Sequence, residues 1–186
     1  MDEKPIQFIS DTRPSIPPSP SHPERFDYEY QRNGTSNIFV FTEPLKGWRK
    51  AVVKERKTKQ DWAEEIRTLL VQDYPSASKI ILICDNLNTH TIGALYATFT
   101  PKEALKLSKR LEIHHTPKHG SWLNIAEIEL SVMTTQCLNR RIGDPISLNS
   151  EIKVWQKNRN ENQKSVNWQF KSEDARIKLR HLYPQI

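Results

Sequence analysis

The run Lys79-Ile-Ile-Leu-Ile-Cys84 places the tightest limit on the fold. Its apolar residues, Ile80 to Cys84, are rich in β-branched side chains and bounded by polar neighbours, which suits a strand. Because the run is continuous and not alternating, it predicts a strand buried on both faces, as in the parallel part of an α/β sheet. It stops abruptly at Asp85-Asn86. A carboxylate at the C-terminal end of such a strand stands at the crevice where α/β proteins place their ligands. The same residue equally suits a turn or a helix cap, because a helix is predicted next.

The segments around this strand extend the pattern. Residues 14–23 hold five of the chain's twelve prolines, so that stretch is an extended loop and neither helix nor central strand. Asn33-Gly34 signals a turn, Asn37–Thr42 a strand, and Trp48–Lys54 its hairpin partner. Thr58 with Asp61 predicts an N-cap, with Trp62, Ile66, Leu69 and Leu70 at helical spacing and Pro75 as the stop. A helix is expected over about 89–98. Thr100-Pro-Lys-Glu103 is a capping box that opens another, running to about Arg110. Leu111–His115 reads as a short strand, and Trp122 to about Arg140 as a longer helix. A polar helix near 148–162 follows, and a last basic helix is capped by Ser172. Helices and strands that alternate after an opening hairpin imply a mixed α/β sheet with helices packed on it.

Composition narrows the function classes. The 186 residues suffice for one ordinary domain with its own core. No stretch approaches the roughly 18 apolar residues of a membrane span, and the acidic opening Met1-Asp-Glu-Lys4 is no secretory signal. Cys84 and Cys137 sit in apolar runs and read as buried thiols of a reducing cytosol. A net charge of +6 and a pI near 9.3 favour a polyanionic partner. The charge concentrates at Lys46, Arg49, Lys50, Lys54, Arg56, Lys57 and Lys59, against the single acid Glu55. Such a cluster suits phosphate contacts, and it equally suits a strand edge guarded by lysines.

In the helix after Trp122, the residues Leu123, Ala126, Leu130, Met133 and Cys137 share one stripe. Glu127 and Glu129 lie on its two borders, and periodicity does not choose between them. His114, His115 and His119 crowd the preceding loop and His90 stands earlier, but their spacing matches no structural zinc pattern. They read as surface or DNA-facing histidines.

Two motifs add to this. Asp85-Asn-Leu-Asn-Thr-His90, followed by Thr116-Pro-Lys-His-Gly-Ser-Trp-Leu-Asn-Ile-Ala-Glu127, resembles the signature of bacterial insertion-sequence transposases related to the mariner superfamily. Asp2-Glu3-Lys4 resembles that family's first-aspartate motif, and the likeness covers essentially the whole chain. It implies an RNase H-like fold in which Asp2, Asp85 and Glu127 are the catalytic and metal-binding carboxylates. It selects Glu127, which closes an Asn-x-x-Glu motif, over Glu129. The 41 residues between Asp85 and Glu127 exceed the spacing of the eukaryotic mariner relatives, and the capping-box helix can hold the excess. The implied cofactor is a pair of Mg²⁺ or Mn²⁺ ions, which suit carboxylate oxygens. The implied partner is DNA, as the element's terminal inverted repeats and a TA target, with Lys46, Arg49, Lys50, Lys54, Arg56, Lys57, Lys118 and His119 as contacts. A homodimer and a bacterial cytoplasmic setting belong to the same picture.

Relatives carry a helix-turn-helix and the first, central strand of the sheet ahead of the first Asp. The resemblance therefore implies an N-terminally truncated catalytic domain over residues 1–143, with a helical extension over 144–186 packed on it. Asp2 is expected to be untethered, with a seam through the core and a largely inactive chain. The competing readings are a non-catalytic remnant that binds DNA or another transposase subunit, and a junction-resolvase-like nuclease.

Overall fold

The computed structural model describes residues 1–117, 120, 123–167, 169–178 and 180. β1 (Asp2–Asp11) pairs antiparallel with β2 (Tyr30–Glu43), and β2 with β3 (Trp48–Lys54), in the order β1-β2-β3. The hairpin read from the sequence is there, but β2 starts earlier than expected. Asn33-Gly34 lies inside it as a bulge and not as a turn. Gly34 takes a φ of +102° where the β1–β2 register slips between Gln7 and Ile9, so the glycine absorbs one extra residue. The chain reverses instead through the proline-rich loop, where Ile16 bridges Arg25 and Ser19 bridges His22.

Thr58 and Asp61 close a capping box on α1 (Lys59–Thr68), which continues as a π-helical turn over Leu69–Asp73. β4 (Ile80–Cys84) and β5 (Leu111–His115) pair in parallel, Ile80 opposite Leu111 and Cys84 opposite His115. Their crossover carries α2 (Ile92–Thr98) and α3 (Pro101–Ser108). The side chain of Thr100 caps α3 by accepting from the Glu103 amide, with proline at the first turn. α4 (Ala126–Met133) runs into a π-helical turn at Thr134–Leu138 and begins later than expected. Trp122 falls outside the described residues. Asp144 caps α5 (Pro145–Glu161), and α6 (Ser172–Lys178) ends the described elements.

The three-stranded sheet is covered on both faces, because alternate residues of β2 point opposite ways. Phe39 and Phe41 join Met1, Trp62, Ile66, Leu70, Leu82, Leu95 and Leu107 in one core cluster. Ile38 and Val40 join Phe8, Met133, Leu148, Ile152 and Trp155 in another. α1 to α3 and the β4–β5 pair therefore flank one face, and α4 and α5 the other. Among the described residues no helix is long and apolar enough to cross a membrane.

Two expectations need correction. β4 is not buried on both faces: Leu82 and Cys84 are, but Ile81 and Ile83 are 62% and 52% exposed. That side opens on a cavity of about 410 Å³ lined by Met1, Phe41, Trp48, Ile81, Ile83 and Leu123, among others. Continuous apolarity here marks a strand beside a seam. Asp2 is not untethered either. It sits on β1, opposite Val40 of β2, and Met1 before it is only 5% exposed. The seam is present, since β1-β2-β3 and β4-β5 share no ladder. It lies between the start of β1 and β4.

Candidate active site

Met1 is where the site is assembled, through its backbone. Its amino group donates to the Ile83 carbonyl at 2.6 Å, two residues before Asp85. Its own carbonyl accepts from Asn124 Nδ2 at 2.9 Å, three residues before Glu127. Asn124, itself buried, also accepts the Ala126 amide at 3.2 Å and so steadies the first turn of α4. The start of β1, the end of β4 and the start of α4 thus converge around one residue, each with one of the three expected carboxylates close by in sequence.

Asp2 is half-buried, and its Oδ1 accepts the Glu3 amide at 2.8 Å. Burial raises the Asp2 pKa above the ordinary carboxylate value; the negative charge of Asp85 adds to the rise, and the Glu3 amide opposes it. Asp2 and Asp85 are therefore within electrostatic reach of one another. Asp85 Oδ1 is buried without a hydrogen bond, although His90 Nδ1 lies 2.8 Å away. The Asp85 carbonyl accepts from His115 Nδ1 at 3.0 Å.

His90 is a correction. It is neither on the surface nor facing DNA, but has no exposed area, and its ring lies tilted against Trp62 with centroids 5.8 Å apart. Its Nε2 meets Glu3 Oε1 at 2.5 Å. Burial alone lowers the His90 pKa, but hydrogen bonds to the side chains of Cys84 and Glu3, with the Glu3 charge, more than reverse this and raise it to about 10. Glu3, Asp85 and His90 bring one ligand-type atom each within 4.8 Å of one another. Sequence reasoning missed Glu3, His90 and Asn124 as parts of the site. The only signal for them was membership of the motifs that held Asp2, Asp85 and Glu127. His114 and His115 are exposed as expected, and His119 lies outside the described residues.

The two glutamates of α4 have separated fates. Glu127 is half-buried in the first turn, with its amide bonded to the Asn124 carbonyl at 3.0 Å. Glu129 is 1% exposed and spoken for: Arg159 Nη2 binds its two oxygens at 2.6 and 3.1 Å, and Arg49 Nε lies 3.3 Å from Oε1. Arg49, expected at a DNA surface, is wholly buried, its guanidinium also donating to the carbonyls of Arg159 and Lys164. Lys50 pairs with Asp73 and Glu65, and Lys54 with Glu64 and Glu65. The basic cluster is therefore largely neutralised from within. Lys46, Arg56 and Lys57 stay exposed, with Lys46 3.6 Å from Glu43; Lys118 lies outside the described residues.

An antiparallel three-stranded sheet beside a parallel strand pair, with helices packed around them and acidic side chains where strands meet a helix, defines an RNase H-like α/β unit. The family model described as DDE superfamily endonuclease matches residues 1–149, and the chain belongs to that family. Among solved structures, the crystal structure of the Mos1 mariner paired end complex with Mn shares the fold, with a TM-score of 0.56 at 16% identity, over 88% of this chain and 48% of that one. This chain thus spans about half the length of that chain. No curated protein sequence matches it.

Proposed function

We propose that this chain is the catalytic domain of an insertion-sequence transposase, cutting and joining DNA strands with Asp2, Asp85 and Glu127. Residues 1–143 form the catalytic unit in this reading, and 144–186 a helical extension packed on it. The observation that carries the proposal is the electrostatic frustration of Asp2 and Asp85. Two carboxylates stand within reach of each other, one with its pKa raised by burial; the imidazole that meets the other, His90 with Nδ1 2.8 Å from Asp85 Oδ1, is shared with Glu3, so the carboxylates outnumber it. Oxygen donors of this kind fit Mg²⁺ or Mn²⁺. Bound there, such ions supply an activated water or 3′-hydroxyl and stabilise the leaving oxygen.

The chain's own residues do the positioning. Asp85 offers a carboxylate just past the end of β4, and Asp2 one held on β1. Glu127 projects from the first turn of a helix tied to Met1 through Asn124. The attachment of Asp2 to β2 removes one reason to expect inactivity, an untethered first carboxylate, while the seam remains. Lys46, Arg56 and Lys57 are the exposed cations offered to the phosphates of the element's ends and a TA target.

Cleavage of DNA bearing the element's ends, with Mg²⁺ or Mn²⁺, tests this. The wild-type chain should nick it, and Asp85→Asn and Glu127→Gln should fall to background while remaining folded. Cleavage that survives Asp85→Asn would overturn the assignment.

A further inference from the structure

The two sheets share no ladder, so something besides β pairing must fix Asp85 relative to Asp2. The Met1 amino group holds the end of β4 through Ile83, but it does not reach the loop that carries Asp85. The contact that does is between Glu3 and His90. Glu3 follows Asp2 on β1, and its side chain is 3% exposed. His90 has no exposed area and lies in the loop before α2, with Nε2 2.5 Å from Glu3 Oε1. Its other ring nitrogen lies 2.8 Å from Asp85 Oδ1 and 3.4 Å from the Asp85 carbonyl oxygen, and Trp62 closes one side of the ring. A buried carboxylate and imidazole are costly unless matched, and once matched inside a packed core they leave few alternative geometries.

We infer that Glu3 and His90 form a positioning latch that sets the spacing of Asp2 and Asp85 across the seam and that neither residue is a metal ligand. This deepens the proposed function and rests on it. Glu3, Asp85 and His90 stand close enough to suggest a three-residue metal site, but the bond between Glu3 and His90 commits a donor atom on each. Of the two Asp85 oxygens, Oδ1 faces His90 Nδ1 at 2.8 Å. The latch therefore meets Asp85 at Oδ1, while no described residue bonds Oδ2, the oxygen left for a cation. Partners that orient ligands in this way commonly change metal affinity about 10–100-fold when removed.

The test is Mn²⁺ binding to the full chain by electron paramagnetic resonance, for wild type, Glu3→Gln, His90→Gln and the double variant, with folding checked by circular dichroism. Each single change should weaken binding about 10-fold or more, and the double variant should bind no more weakly than the worse single. The wild-type spin-echo spectrum should contain no nitrogen modulation that His90→Gln removes. Unchanged affinity in folded variants would reduce the pair to a structural contact and overturn the latch. A nitrogen signal lost in His90→Gln would make His90 a ligand and also overturn it. Should His90→Gln fail to fold, Glu3→Asp keeps the charge but shortens the reach and should still weaken Mn²⁺ binding; affinity equal to wild type overturns the latch. If wild type binds no Mn²⁺, the proposed function itself falls, an outcome distinct from wild-type binding that the variants leave unaltered.

Discussion

Glu127 and Glu129 show how far single residues were legible. Both border the apolar stripe of the same helix, and periodicity left them equal; the motif separated them. The physical reason for the difference lies far away in sequence, in Arg49 on β3 and Arg159 on α5, which hold Glu129 in a buried ion cluster. No local pattern marks such a partner, so Arg49 read as a phosphate-binding cation when it is an internal counter-ion. Removing one member of a buried pair strands the others and typically costs about 3–5 kcal/mol. We expect Glu129→Ala to lower the urea midpoint sharply. Glu127→Ala, at a half-buried position with no such partner to strand, should keep a midpoint near wild type and lose Mn²⁺ binding. Equal destabilisation by both substitutions would mean that the two residues share a structural role.

At the scale of elements, the legible parts were those decided locally. The caps at Thr58 and Thr100, the hairpin partner Trp48–Lys54 and the strand Leu111–His115 all follow from neighbours within a few residues, and all appear. The one-sided exposure of β4 did not follow, because an apolar run records only what its own side chains prefer. Whether a neighbouring strand continues the sheet is a non-local matter. The same holds for Asn124, which looked like the first letter of a motif and proves to be the tie between α4 and β1. Asn124→Ala would leave the buried Met1 carbonyl without its donor, at a cost of about 1–3 kcal/mol. We expect a matching loss in chemical denaturation and weaker Mn²⁺ binding, with Glu127 itself untouched. A stability loss with unaltered Mn²⁺ affinity would separate Asn124 from the site.

For the molecule as a whole, net charge was a poor guide to the surface. The chain carries +6, yet much of its densest basic segment is spent on internal carboxylates. If Lys46, Arg56 and Lys57 supply the contacts, the logarithm of DNA affinity should fall against that of salt with a slope of about −3, roughly −0.9 for each phosphate neutralised. Fluorescence anisotropy on duplex DNA at graded salt measures it; a slope of about −4.5 would mean that Lys50 and Lys54 also leave their partners to bind. The convergence on Met1 has one more consequence, and it concerns time. The amino group of Met1 waits for a carbonyl 82 residues away, Glu3 for a ring 87 residues away, and the Met1 carbonyl for an amide 123 residues away. At about 5–20 residues per second, a ribosome needs roughly 6–25 s to pass from Met1 to Asn124. In that interval β1 can zip onto β2, but the three carboxylates have no common frame. A nascent chain thus holds its first aspartate in a strand long before it holds a site, and whatever chemistry the site performs begins only after Asn124 has been made.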